Sequence, residues 1–224
     1  SEEKAYFLGL LFTDGTITKK KNSESMSIRL ELQLKDKDII EKFKNVLNLT
    51  SKITYSKHKK NGVISESVII SFCSIKMAKD LEKYGIVPNK TYITKHLPTI
   101  PEEFERHFLR GLIDGDGSIY QRKNHNKKNN KDYNSYTLYF CSYHQSCCED
   151  FQKFAIKYTS RKKKMNISKE KKSQYRIIWT AKQDVKELVT ALYKDSSFYL
   201  ARKYELAKQI FEGNDEEDIV YSDH

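Results

Sequence analysis

Two Asp-Gly pairs, Asp14-Gly15 and Asp116-Gly117, close near-copies of one segment: residues 6–17 read YFLGLLFTDGTI and residues 108–119 read FLRGLIDGDGSI. Aligned on these pairs, Gly9 matches Gly111, Leu10 matches Leu112 and Ile17 matches Ile119, each at an offset of 102 residues. Each segment reads as a helix ending at Asp-Gly, with Gly15 and Gly117 placed to supply a left-handed C-terminal cap. Gly9 and Thr13 in one copy, and Gly111 and Gly115 in the other, are four apart and share a helix face. Small residues there let two helix backbones approach closely. Such packing brings the helix ends together, with Asp14 beside Asp116. Each carboxylate then stands at the negative end of a helix dipole and next to a second carboxylate, which is unfavourable without a cation. Hard oxygen ligands suit Mg²⁺, or Mn²⁺ in its place, completed by water and phosphate oxygens. A cation between the acids and a phosphodiester can activate water and stabilise the leaving oxygen. One helix ending in Asp-Gly is usually only a turn; two matched copies point to a site.

The elements that must position these acids also occur twice, in the order strand, strand, helix, strand, strand, helix. In SIRLELQL, alternation puts Ile28, Leu30, Leu32 and Leu34 on one face and Arg29, Glu31 and Gln33 on the other, the pattern of a half-buried strand. A helix is expected from Asp36, two strands around 52–58 and 63–73 joined by a turn at Asn61-Gly62, and a helix over 75–84. The second copy repeats the plan: YTLYFCSY as strand, QSCCEDFQKFAIKY as helix, RKKKMNIS and QYRIIWTA as strands, DVKELVTALY as helix. The expected organisation is a first repeat over 1–95, a linker over 85–101 that holds all three prolines, a second repeat over 102–211 and an acidic tail over 212–224.

The chain of 224 residues carries a net charge of +11, and removing the six acidic residues of the tail raises it to +17. That balance suits a polyanionic partner, nucleic acid first, because fixed Lys and Arg displace the counterions condensed on phosphates. A solvated lysine-rich surface from an AT-rich coding sequence gives the same composition. No apolar run reaches the roughly 18 residues of a membrane span, and the N-terminal stretch lacks the pattern of a secretory leader. Cys73, Cys141, Cys147 and Cys148 form no zinc-ligand spacing. Reduced thiols are expected, with Cys147 and Cys148 as small core residues. The expected setting is intracellular, an organelle with an AT-rich genome being compatible with the composition.

Both segments resemble the LAGLIDADG motif of homing endonucleases. LRGLIDGDG at 109–117 is a strong match; FLGLLFTDG at 7–15 is degenerate, with Phe12 where the family often has its earlier acid. The resemblance extends over about 5–211 and implies an α+β fold: two pseudo-twofold-related αββαββα repeats forming a saddle of antiparallel sheets, with the motif helices at the central interface. It implies a single-chain, monomeric enzyme that cuts both strands of a long asymmetric DNA site and leaves short 3′ overhangs. The last acid of each motif is the implied metal ligand, mapping to Asp14 and Asp116, with Mg²⁺ as cofactor and Ca²⁺ able to occupy the site without turnover. A basic residue late in each repeat maps through GIVPNKTY to Lys90 and through FYLARKYE to Lys203. A polar residue at the strand-to-helix junction, Gln33 or Asp36, is a candidate to position water.

A two-stranded ribbon fits the major groove of DNA, where outward side chains reach base edges. Strand parity makes those side chains Arg29, Glu31 and Gln33 in the first repeat. In the second they are Lys162, Lys164, Asn166, Gln174, Arg176 and Thr180. The basic segments KKKNSES and QRKNHNKKNNKDYN are expected as phosphate-tracking loops. His144 and Cys147, three apart, give only a two-ligand cluster, too weak for a metal centre. The main alternative is an intron RNA maturase on the same saddle, the other a DNA-binding protein without turnover. Retention of both acids favours cleavage.

Overall fold

The computed structural model describes residues 1–19, 21, 24–60, 62–127, 130–170 and 174–213. The acidic tail beyond Gly213 and parts of both basic segments lie outside these residues. Helix α1 (Glu2–Asp14) leads into β1 (Gly15–Lys19) and β2 (Met26–Gln33), then α2 (Lys37–Val46), β3 (Thr54–Lys60), β4 (Val63–Cys73) and α3 (Ile75–Glu82). A short helix α4 (Lys90–Ile93) lies in the connecting segment. The plan then recurs as α5 (Glu102–Asp116), β5 (Gly117–Asn126), β6 (Lys131–Ser142), α6 (Gln145–Ala155), β7 (Ile167–Lys169), β8 (Tyr175–Trp179) and α7 (Lys182–Tyr193), followed by α8 (Ala201–Glu212). Both sheets are antiparallel and have the same order, β1-β2-β4-β3 and β5-β6-β8-β7.

Parity decides which face of each sheet is buried. Ile28, Leu30 and Leu32 point inward from β2 onto Ile39, Ile40 and Phe43 of α2, while Arg29 and Gln33 face out. Leu34 leaves the strand for a single 3₁₀ turn and is exposed. In the second repeat Leu138 and Phe140 of β6 and Ile177 and Trp179 of β8 meet Cys148 and Phe151 of α6, with Phe140 stacked on Phe151 at 4.7 Å. Cys147 and Cys148 are buried core thiols.

Three segments depart from the sequence-based expectation. Within QRKNHNKKNNKDYN, residues 121–126 and 131–134 are paired strands and not loop: β5 and β6 pair from Gly117↔Phe140 out to Asn126↔Lys131. Backbone pairing satisfies the ladder whatever the side chains, so a polar, two-faced strand carries no hydrophobic alternation to reveal it. RKKKMNIS contributes a strand only from Ile167, and Lys162, Lys164 and Asn166 precede it. Lys162 has φ +49° and its ammonium closes the carbonyls of Ile156 and Lys157 at 3.2 and 2.8 Å, so it finishes the α6 helical segment. Gln174 and Thr180 flank β8 on either side.

The motif helices α1 and α5 pack together at their glycines. A Cβ on Gly9 would lie 3.0 Å from the Gly111 Cα and collide with the Phe108 carbonyl; one on Gly111 would collide with the Tyr6 carbonyl. The repeats also exchange parts. Leu200 is buried in the core of the first repeat, and Phe198 packs on Phe7 at 5.4 Å. Arg110, wholly buried in α5, donates 2.8 Å to Glu2 of α1 and to the carbonyls of Leu192 and Phe198.

Candidate active site

Both motif helices run directly into a strand. Gly15 (φ −75°, ψ 150°) and Gly117 (φ −99°, ψ 178°) are extended, so the left-handed caps expected from the sequence are not formed. The glycines are needed for space: a Cβ on Gly15 would lie 2.8 Å from the Leu11 Cα, and one on Gly117 2.7 Å from the Ile113 Cα. The extended residue turns each strand away at the helix end and leaves the preceding aspartate at the junction.

Those junctions meet. A Cβ on Gly115 would lie 2.5 Å from the Asp14 carboxylate, which places the end of α5 against Asp14. Asp14 is half-buried and accepts 3.0 Å from the Thr13 hydroxyl; Asp116 opens to solvent on one side. Crowding by the two helix ends thins the water around both carboxyls, more around Asp14 than around the exposed Asp116. Asp14 is raised to about 6, chiefly by that desolvation and next by the charge of Asp116. Asp116 is raised by desolvation, against the pull of Lys90 and Lys203. Two hard oxygen donors, uncomfortable as bare anions, fit a divalent cation that completes its shell with water and substrate oxygens. Among the described residues no cluster of three or more His, Cys, Asp or Glu offers a different centre.

Lys90 and Lys203 come to the two junctions from different elements. The ammonium of Lys90, at the start of α4, donates to the Thr13 carbonyl at 3.0 Å and to the Gly15 carbonyl. Lys203, buried in α8, donates to the carbonyls of Ile113 (2.5 Å), Asp114 (2.8 Å) and Gly117 (2.8 Å). These contacts satisfy carbonyls left open at each helix C-terminus and place cations at the negative end of its dipole. An ammonium has three N–H donors. Lys203 therefore has all of them engaged, whereas Lys90 retains one. Burial depresses both amines, Lys203 to about 8.

Asp114, the earlier acid of the second motif, was not singled out from the sequence. It is wholly buried and accepts from the hydroxyls of Tyr6 (2.9 Å) and Tyr193 (2.7 Å) and from the Leu200 amide (2.8 Å). It ties the residues just before α8 to α5 and so fixes where Lys203 emerges. Phe12 holds the equivalent place in α1 and packs edge-on against Phe108 at 6.3 Å, so the first repeat has no such anchor. The signal was available in the motif alignment.

Of the junction candidates, Asp36 is 3% exposed and its carboxylate accepts from the Arg202 guanidinium at 3.1 and 3.3 Å, an ion pair between the repeats. That pairing commits it to structure. Gln33 ends β2 on the exposed face, opposite Ser67 of β4. Arg29 and Glu31 share that face; Glu31 accepts 2.6 Å from both the Arg29 guanidinium and the Ser67 hydroxyl. In the second sheet Arg176 faces outward over the Tyr139 ring at 4.9 Å, and Arg122 over Tyr120 at 5.0 Å. Arg122, Tyr120 and Tyr139 complete an outer-face ladder of arginines and aromatics that the loop reading of β5 concealed.

The model for the LAGLIDADG-like domain matches residues 1–91 and again 103–192. Among solved structures, the chain is similar to the meganuclease I-SmaMI bound to uncleavable DNA, with TM-score 0.63 and 12% identity over 95% of this chain and 90% of that one. It is similar to the homing endonuclease I-LtrWI bound to target DNA, with TM-score 0.63 and 12% identity over 94% and 90% of the two chains. For the meganuclease I-AabMI bound to uncleaved DNA the values are 0.60 and 13% over 92% and 88%. A comparison with curated proteins gives no match. The two domain matches, one on each motif helix with its sheet, make this chain a member of the LAGLIDADG family, with two repeats in a single chain.

Proposed function

We propose that this protein is a site-specific DNA endonuclease that acts as a monomer and hydrolyses one phosphodiester in each strand of a long asymmetric duplex, leaving short 3′ overhangs. The observation that carries this reading is the meeting of Asp14 and Asp116 at the ends of α1 and α5, both raised by desolvation and each joined by a lysine from a later element. Asp14 and Asp116 would hold Mg²⁺ or Mn²⁺, with Ca²⁺ binding without turnover. Such a cation supplies an activated water and charge neutralisation at the leaving oxygen. Lys90 offers its remaining N–H to a phosphate oxygen, while Lys203 fixes the end of α5 and contributes a buried positive charge. The outward faces of both sheets supply polar and cationic groups at strand spacing for base edges in the major groove. Because the two faces differ in sequence, the site they read has no need of twofold symmetry.

Selection of cut sites from a randomised duplex library in Mg²⁺, with Ca²⁺ as the control, tests the reading. The expected product is one asymmetric site cut in both strands in Mg²⁺ and bound intact in Ca²⁺. Recovery of a bound duplex that is never cut, or preference for folded intron RNA, would overturn it.

A further inference from the structure

The second sheet carries four side chains in one unbroken row on its outer face. Arg122 lies over the Tyr120 ring at 5.0 Å, the Tyr120 and Tyr139 rings meet edge to face at 6.2 Å, and Arg176 lies over Tyr139 at 4.9 Å. Register orients the row. Gly117, next to the motif acid, pairs with Phe140, Arg176 pairs with the following residue Cys141, and Arg122 pairs with Ser135 further out along the ribbon. Arg176 is therefore the inner end and Arg122 the outer. Among the described residues neither guanidinium donates to a carboxylate at hydrogen-bond distance: Arg176 stands 3.6 Å from Glu170, and its buried Nε has no partner. The first sheet is built otherwise. Its outward arginine, Arg29, donates 2.6 Å to Glu31, and serines face out beside it, Ser27 bonded to Ser71 and Ser67 to Glu31.

A guanidinium is the side chain best matched to guanine, because its parallel N–H groups meet O6 and N7 together in the major groove. A ring beneath it attracts the cation and holds its plane, so less freedom is lost when the base arrives. We propose that Arg176 and Arg122 are specificity-determining residues, each reading one guanine in the half of the duplex that lies under the second sheet. The row sets their spacing. Its three steps put the guanidiniums at most about 16 Å apart. At ~3.4 Å of rise per base pair, the two guanines lie within about five base pairs of each other, the inner one toward the cut. The other half of the site has no such pair of anchors, because Arg29 is tied to Glu31. This inference rests on the reading of the protein as a site-specific DNA endonuclease and adds base identities to one half of its target.

Selection of bound duplexes from a randomised library in Ca²⁺ tests it without cleavage. The wild-type consensus should hold two guanines within that spacing in one half-site. Adenine in place of either guanine puts an amino donor where O6 stood and should weaken binding roughly ten- to a hundredfold. Arg176→Ala should erase the preference at the inner position alone, and Arg122→Ala at the outer position alone. Two results would overturn the proposal. One is a wild-type consensus without the two guanines, whatever the variants do. The other is alanine variants that weaken every duplex equally and lower the salt slope by about one, the behaviour of phosphate contacts. A duplex selected with both guanines that stays intact in Mg²⁺ would overturn the nuclease reading and leave this inference standing; failure to select any sequence would overturn both.

Discussion

Lys90 belongs to the segment between the repeats, yet the charge it opposes first is that of Asp116, the acid of the second motif. Desolvation raises the Asp116 carboxyl, and the largest counteracting influence is Lys90, ahead of Lys203. For Asp14 the order of the lysines is reversed, with Lys203 ahead of Lys90. Lys90 and Asp116 also line one small cavity, so the cation held at the end of α1 faces the acid at the end of α5.

The facing of Lys90 and Asp116 makes a strand-specific prediction. Lys90→Met and Asp116→Asn should slow cleavage of the same strand, and Asp14→Asn should act first on the other. Either aspartate variant should abolish double-strand cleavage while DNA affinity stays within about an order of magnitude, since phosphate contacts dominate binding. Nicking followed on separately end-labelled strands checks the pairing, which fails if Lys90→Met and Asp14→Asn affect one strand together.

The two lysines should separate in stability. Lys203→Met leaves three carbonyls at a buried helix end without their donor, a loss of roughly 2–4 kcal/mol on the scale of unsatisfied buried groups. Lys90→Met frees two carbonyls at a half-buried position and should cost less, its main effect being on turnover. Urea unfolding of both variants gives the comparison; equal midpoints would remove the distinction.

The raised Asp14 carboxyl ties metal-free stability to pH. Its folded value near 6 exceeds the ordinary value of 3.8, so the folded protein holds this proton more tightly than the unfolded chain. Stability from this group is present below about pH 4 and lost as pH rises through about 6. Without divalent cation, Asp14→Asn should therefore raise Tm at pH 7.5 and change it little at pH 4. Mg²⁺ should stabilise the wild type at pH 7.5 and not the variant to the same degree. Thermal melts in EDTA at the two pH values would show a Tm unchanged at pH 7.5 if the site carries no such strain.

Gly9→Ala drives a methyl into the Phe108 carbonyl and the Gly111 backbone. Neither is a flexible side-chain end, so the helices must separate. A loss of about 1–3 kcal/mol is expected from overpacking, with Tm falling by roughly 2–4 °C for each kcal/mol in a chain of this size. Cleavage should fall further than stability, because Asp14 and Asp116 move with their helices. A stable variant with full activity would place the helix contact elsewhere.

Arg202→Ala leaves the Asp36 carboxylate buried without its cation. Removing one partner of a buried pair costs roughly 3–5 kcal/mol, and the lower end applies here because Arg202 itself reaches solvent. Asp36→Asn should cost less, and the double variant less than the sum, which a double-mutant cycle in urea would measure.

The repeat, the motif glycines and the paired acids were legible in the sequence, because small residues four apart on a helix and apolar residues two apart on a strand have only one use in a packed core. The inward faces of β2 and β8 and the outward placing of Arg29, Gln33 and Arg176 follow from that periodicity alone. The β5–β6 ribbon was not legible: its outer half is polar on both faces, and ladder hydrogen bonds leave no trace in residue types. Nor were the glycine conformations after the motif helices, since tight space and a positive φ both select glycine. The family resemblance brought Lys90 and Lys203 forward as equals. Only the tertiary structure decided that one has a donor left over and the other has none, because that depends on how many carbonyls from a distant helix end surround each ammonium. Asp36 and His144 likewise hold equivalent places at the starts of α2 and α6. What pairs Asp36 is Arg202, a residue 166 positions beyond it that only folding brings to it.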